Sequence, residues 1–273
     1  MLRGGMRTVL AAALLVVTCL GQALASELYT TGTITSGTAP ERRDIGFVTC
    51  LRDVVVRITG DSRLLNAPRL AEQVRHASEL VASYTFRDRM SGTPIHDEQG
   101  SYDRPHDLTC VFDEAKLNAF LKSLDRKPWL KRPRLVAVIG IRDMKGAASM
   151  LASDSLGPRD QDMRTALIAA ADKLALPLVL PSQAQIMQSG LSVRTLPAAD
   201  PARLGTLARM AGGERALVGT IVWNNRPAGW VAEWRIADEP PATRWGISGV
   251  GFDDAFRNAV SGAAQVLSGH ADP

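Results

Sequence analysis

Cysteine, histidine and aromatic residues are scarce here: three Cys, four His and 5% aromatics in a chain of 273 residues. No C-x-x-C, H-E-x-x-H or EF-hand loop occurs, so the spacings that build zinc and calcium sites are missing. His76, His96, His106 and His270 stand apart, with no pair one helical turn from another. A Walker-type phosphate loop and a G-x-S-x-G nucleophile elbow are absent as well. Gly246 to Gly251 (GISGVG) looks superficially like a phosphate loop. No βαβ unit follows it, however, and a strand-to-helix turn needing positive φ accounts for its glycines. His96-Asp97-Glu98 and His106-Asp107 lie in or beside one polar loop, a pairing common without a metal. These patterns lead to no catalytic residue, no cofactor and no metal ligand.

Long apolar runs are also lacking, with one exception. Arg3 and Arg7 precede the run Val9 to Leu20, and Ala23-Leu24-Ala25 places small residues before Ser26. That is a positive n-region, an h-region and an A-x-A site, the pattern of a secretory signal peptide over residues 1–25, cut between Ala25 and Ser26. The run is too short to span a bilayer comfortably. Cys19 follows Thr18 rather than the small residue expected before a lipidated Cys, so it reads as part of the discarded h-region. Losing Arg3 and Arg7 and no acid lowers the net charge from +4 to +2. A balance so near neutral argues against nucleic acid as a partner. The mature chain is expected to be soluble and not membrane-spanning.

What the chain does contain is periodic. Leu28 to Thr35 alternates as a strand. Thr38 and Glu41 have the spacing of a capping box, ahead of a helix with Phe47, Leu51, Val54 and Ile58 on one face. Gly60 ends that helix. A second helix is expected from Asn66 to Pro68 onward, with Leu70, Val74, Ala77, Val81 and Tyr84 on one stripe. A short strand near Tyr84 to Arg87 follows, then a polar loop from Met90 to Arg104. The strand Leu108 to Phe112 comes next, and a helix capped by Asp113 closes the run. The expectation is a β-α-α-β-β-α domain over residues 26–125. A basic, proline-containing segment, 126–134, reads as a linker.

The second domain, 135–269, is organised around Leu135 to Ile141, an unbroken apolar run that reads as a strand buried on both faces. A polar stretch from Met144 to Arg159 leads to a helix carrying Met163, Leu167, Ala170 and Leu174. Leu178 to Leu180 is a second strand. Asp200-Pro201 starts another helix, and Ala216 to Trp223 is a third strand. The first three strands should be parallel with right-handed crossovers. Gly229 to Ala237 should return antiparallel, Arg244 to Val250 is a fifth strand, and Asp253 caps the last helix. The fold class expected is α+β / α/β in two domains, the second a mixed-sheet domain of two or three layers.

Leu204 to Trp223 (LGTLARMAGGERALVGTIVW) resembles an α/β domain found in exported proteins. That domain occurs at the N-terminus of the Tol-system β-propeller protein, in the curli secretion lipoprotein, and in lipoprotein activators of peptidoglycan synthases. The resemblance covers roughly Leu135 to Leu267 and implies a non-catalytic domain that binds other envelope proteins. Across the whole chain, Leu28-Tyr29, Val54 to Asp61 (VVVRITGD), Val111 to Asp113, Pro128-Trp129 and Ala216 to Gly219 fall in the order of an uncharacterised family of exported bacterial proteins, a domain of unknown function. It resembles that family without bringing any assigned site residue. The resemblance implies the bacterial periplasm.

Three further expectations follow from the residues. Trp230, Ala232, Trp234 and Ile236 share one strand face and should be buried under the last helix rather than form a sugar platform. Glu233 and Arg235 share the opposite face and are the candidate protein-binding residues. Cys50 and Cys110, the cysteines left after cleavage, sit on facing positions of the first helix and the Leu108 strand, and a disulfide in an oxidising periplasm is expected, with two buried thiols in one core as the alternative. The function expected is accessory or scaffold binding of envelope proteins, with peripheral association with the envelope. The alternatives are a periplasmic hydrolase with a dispersed site and a small-ligand-binding protein, the latter walled by the Met90–Arg104 and Met144–Arg159 loops.

Overall fold

The structure is a computed structural model that describes residues 27–92, 103–237 and 243–270. The signal segment with Ala25 and Ser26, and His96-Asp97-Glu98, lie outside those residues. The chain divides into two compact units, with the break between Leu130 and Lys131 and with Thr59–Ser62 grouped in the second.

In the first unit, β1 (Thr30–Ser36), β2 (Val81–Asp88) and β3 (Pro105–Phe112) form an antiparallel sheet in the order β1-β3-β2. Helix α1 (Pro40–Thr59) presents Phe47, Cys50, Leu51, Val54 and Ile58 as a fully or nearly fully buried stripe. It meets Leu108 and Cys110 of β3, which with Phe112 make up the buried alternating face read from the sequence. Gly46 makes this approach possible, because a Cβ there would collide with the Leu108 side chain. Gly60 takes φ of 74°, as a C′ glycine should. Asp113 caps α3 (Glu114–Ser123), accepting from the Lys116 N–H at 3.0 Å.

Two local expectations are corrected. The Arg43 N–H donates to Ala39 O, which puts Ala39 rather than Thr38 at the N-cap of α1. The second helix is also shorter than its stripe implied. Helix α2 (Pro68–Gln73) gives way to 3₁₀ turns over Val74–Leu80, with a kink at His76 (φ −116°, ψ 27°). Val81 and Tyr84 therefore belong to β2. The segment VASYTF is rich in β-branched and aromatic residues, and pairing with β3 decides in favour of the strand.

The second unit is a mixed sheet in the order β5-β4-β7-β8-β9. Its strands are β4 (Leu135–Arg142), β5 (Ala148–Met150), β6 (Leu178–Val179), β7 (Arg215–Asn225), β8 (Ala228–Ile236) and β9 (Arg244–Val250). Strand β4 runs parallel to β6 and β7, while β7–β8 and β8–β9 are antiparallel, as the connection lengths require. Every residue of β4 from Leu135 to Ile141 is buried, the mark of a strand covered on both faces. Within the Met144–Arg159 stretch the chain forms β5, which hairpins onto β4 through an Asp143 turn.

Helices α4 (Pro158–Lys173) and α7 (Phe252–Leu267) cover one face of this sheet. The N-cap of α7 is Gly251 rather than Asp253. On the other face lie α5 (Gln183–Ser189), a 3₁₀ turn at Leu196–Ala198 and α6 (Pro201–Met210), the last capped by Asp200. Their core joins Val136 and Val138 of β4 to Ala216 and Val218 of β7, closed by Leu196, Leu204 and Leu207. Among the described residues, this second helical layer reaches β8 only at its Arg235 end and leaves β9 uncovered, and that difference between the faces creates the site.

Candidate functional site: the uncovered half of the second sheet

Strand register sets the site. Val138, Val218, Arg235 and Arg244 align across β4, β7, β8 and β9, so one row runs from the helix-covered core to two arginines. The next row on the same face is Gly140, Thr220, Glu233 and Gly246, and Val222, Val231 and Ser248 follow toward the far end. Val138 and Val218 are buried, whereas Glu233, Arg244, Gly246 and Ser248 are exposed. Where the 3₁₀ turn ends, a groove of about 470 Å³ opens between Leu196-Pro197 and the strands. Its floor is Val218, Thr220 and Arg235, and its outer wall is Glu233, Arg244 and Gly246.

Arg235 is 7% exposed yet carries a full charge into the groove. Its guanidinium donates to Leu196 O (3.4 Å) and Ala199 O (3.2 Å), which ties the 3₁₀ turn to the sheet. Burial, and then the neighbouring charge of Arg244, hold the Arg235 guanidinium below its ordinary value. Among the described residues, neither arginine meets a carboxylate.

Glu233 and Arg235 do share the face opposite the tryptophans, but they differ in kind. Glu233 is presented to solvent, while Arg235 is a buried anchor. The tryptophan face is core, as expected: Trp230, Trp234 and Trp245 are buried, Trp234 lies 6.2 Å from Phe256, and Trp245 donates to Asn258 O. The Trp234 ring covers Gly219, whose missing side chain leaves room for it. Among the described residues, no cluster of His, Cys, Asp and Glu could hold a metal.

Cys50 and Cys110 come together in the first unit, both fully buried, with Sγ atoms 2.7 Å apart and each a free thiol. That separation exceeds the roughly 2.05 Å of a disulfide bond. The hydrogen bond to Cys50, and then burial, push the Cys110 thiol far above its ordinary value.

Sequence reasoning did not single out Arg244, Thr220 or the Leu196-Pro197 wall. Alternation along β9 places Arg244 on the Arg235 face, but only the strand register makes them direct neighbours.

These features define a two-unit α+β protein whose second unit leaves half of one sheet face uncovered. Residues 23–130 match the family model described as Domain of unknown function (DUF8605). No curated protein and no solved structure matches the chain.

Proposed function

We propose that this chain is an exported, non-catalytic protein of the bacterial periplasm that binds other envelope proteins through the uncovered β7–β8–β9 face of its second unit. The observation that carries the reading is the step in the sheet. One helical layer is complete, the other stops at Val218 and Arg235, and the strands beyond present Thr220, Val222, Val231 and Glu233 to a partner. Among the described residues, the groove at the step is lined by one carboxylate, Glu233, and by no histidine or cysteine, a composition that suits recognition better than acid–base chemistry. The likeness of Leu204 to Trp223 to envelope α/β domains and the N-terminal signal pattern support the same reading. Among the described residues, no helix is long and apolar enough to cross a membrane.

We also propose that Cys50 and Cys110 form a disulfide in the exported protein. Each thiol gives up a proton and an electron to an oxidised dithiol of the envelope, which is reduced in turn.

Photo-crosslinking in cells tests the binding reading. A photoreactive residue at Glu233 or Val222 should give a discrete adduct, and one at exposed Lys173, in the helical layer of the opposite face, should not. Equal labelling from all three positions, or none, would overturn it.

A further inference from the structure

Among the described residues, no carboxylate pairs with either of the groove's two arginines. Arg235 and Arg244 are directly opposed on adjacent strands, a register that brings Cβ atoms within about 5 Å, and like charges so placed destabilise a sheet. Two features keep the arrangement from being an ordinary surface coincidence. Arg235 is buried, and its orientation is fixed by Leu196 O and Ala199 O through a single Nη2 nitrogen. Arg235 also lines the groove, and the two contacts engage one of its three guanidinium nitrogens. Arg244 stands exposed at the mouth. A guanidinium offers five N–H donors in a planar fork and stays charged at neutral pH even when burial lowers its pKa.

We infer that this groove is a carboxylate-binding site that takes an acidic side chain from an extended segment of the partner protein. The inference rests on the binding reading above and names the chemistry of the partner. Arg235 supplies the fixed donors, Arg244 closes over the anion, and the opposed charges lose their mutual repulsion when it binds. Glu233, one row along the same face, sets the ligand's charge: a monocarboxylate is accepted, whereas a phosphate dianion meets its repulsion. Leu196, Pro197 and Val218 form the apolar wall, which suits an aliphatic neighbour of the acidic residue. Strand β9 ends the sheet order, so its outer edge has no strand partner among the described residues and an extended chain can pass beside it.

The test is a titration of the ¹⁵N-labelled exported protein, following arginine Nε–H and the amides of Thr220 and Gly246. The probes are acetyl-Leu-Glu-Leu-amide, its Gln counterpart, acetate and inorganic phosphate. The Glu peptide should give saturable shifts at Arg235 and Arg244 and bind at least tenfold more tightly than the Gln peptide. Arg244→Gln should abolish that preference without lowering the thermal midpoint, since its side chain is exposed and its loss relieves the repulsion with Arg235. Equal binding of the Glu and Gln peptides, or an unaffected Arg244→Gln variant, overturns the site. Phosphate binding more tightly than the Glu peptide overturns the monocarboxylate assignment, and acetate binding as tightly overturns the peptide source. Crosslinks from position 233 that persist in Arg244→Gln, with no peptide preference, would leave the protein-binding reading standing without this site. A peptide preference with no crosslink in cells would do the reverse.

Discussion

Cys50 Sγ and Cys110 Sγ face each other across the α1–β3 interface at 2.7 Å, with both residues fully buried. The pair joins positions 60 residues apart, so bridging it should remove roughly 4 kcal/mol of chain entropy from the unfolded state. Thiol labelling of the unfolded, unreduced exported protein should find no reactive cysteine. Two labelled thiols per chain would show that the pair stays reduced.

The same pair predicts a pH effect. In the reduced protein Cys110 keeps its proton in the folded state at pH values where the unfolded chain has lost it. A pKa raised on folding adds stability below the unfolded value and loses it as pH rises. Reduced protein should therefore weaken above about pH 8.5, by up to about 1.4 kcal/mol per pH unit, relative to the oxidised form. Denaturant midpoints of both forms between pH 7 and 10 check this. Parallel curves would count against the buried-thiol account.

Arg235 and Glu233 should separate stability from recognition. Arg235→Ala removes the tie to Leu196 O and Ala199 O and should cost about 1–3 kcal/mol. Glu233→Lys changes an exposed side chain and should stay within about 0.5 kcal/mol of the parent while altering the partner crosslink from position 222. Thermal unfolding of the two variants decides, and the reverse order of effects would contradict the assignment of their roles.

Gly219→Ala should be costly although it adds one methyl group. Its Cβ would enter the Trp234 ring, which is held beneath α7 beside Phe256. Overpacking of this kind costs about 1–3 kcal/mol. Urea unfolding should register the loss, with near-UV circular dichroism reporting a displaced indole.

Export processing should leave Ser26 as the first residue. Intact-mass measurement of protein released by osmotic shock checks it. A chain beginning at Cys19 with a lipid adduct would contradict both the cleavage site and the soluble periplasmic form.

Much of the secondary structure could be read in advance because its apolar periods are unambiguous. Leu135 to Ile141 could only be a strand covered on both faces, and Asp200-Pro201 and Asp113 marked helix starts that the backbone uses. The stripe Leu70, Val74, Ala77, Val81, Tyr84 misled because Val81 and Tyr84 fit a helical period and a strand equally well. The hairpin with β3 decided between them.

For the site, alternation along β8 was enough to put Glu233 and Arg235 on one face and the tryptophans on the other. It carried no information on how far across that face the helical layer reaches. That extent depends on where Leu196 lands, 39 residues before Arg235, and this long-range placement turns one of two neighbouring charged residues into a buried anchor. Local periodicity thus determined the elements and their faces, because it acts through adjacent turns and pleats. Tertiary packing alone decided which polar residues would be covered and brought Arg244 beside Arg235, because register between strands is set by the whole sheet.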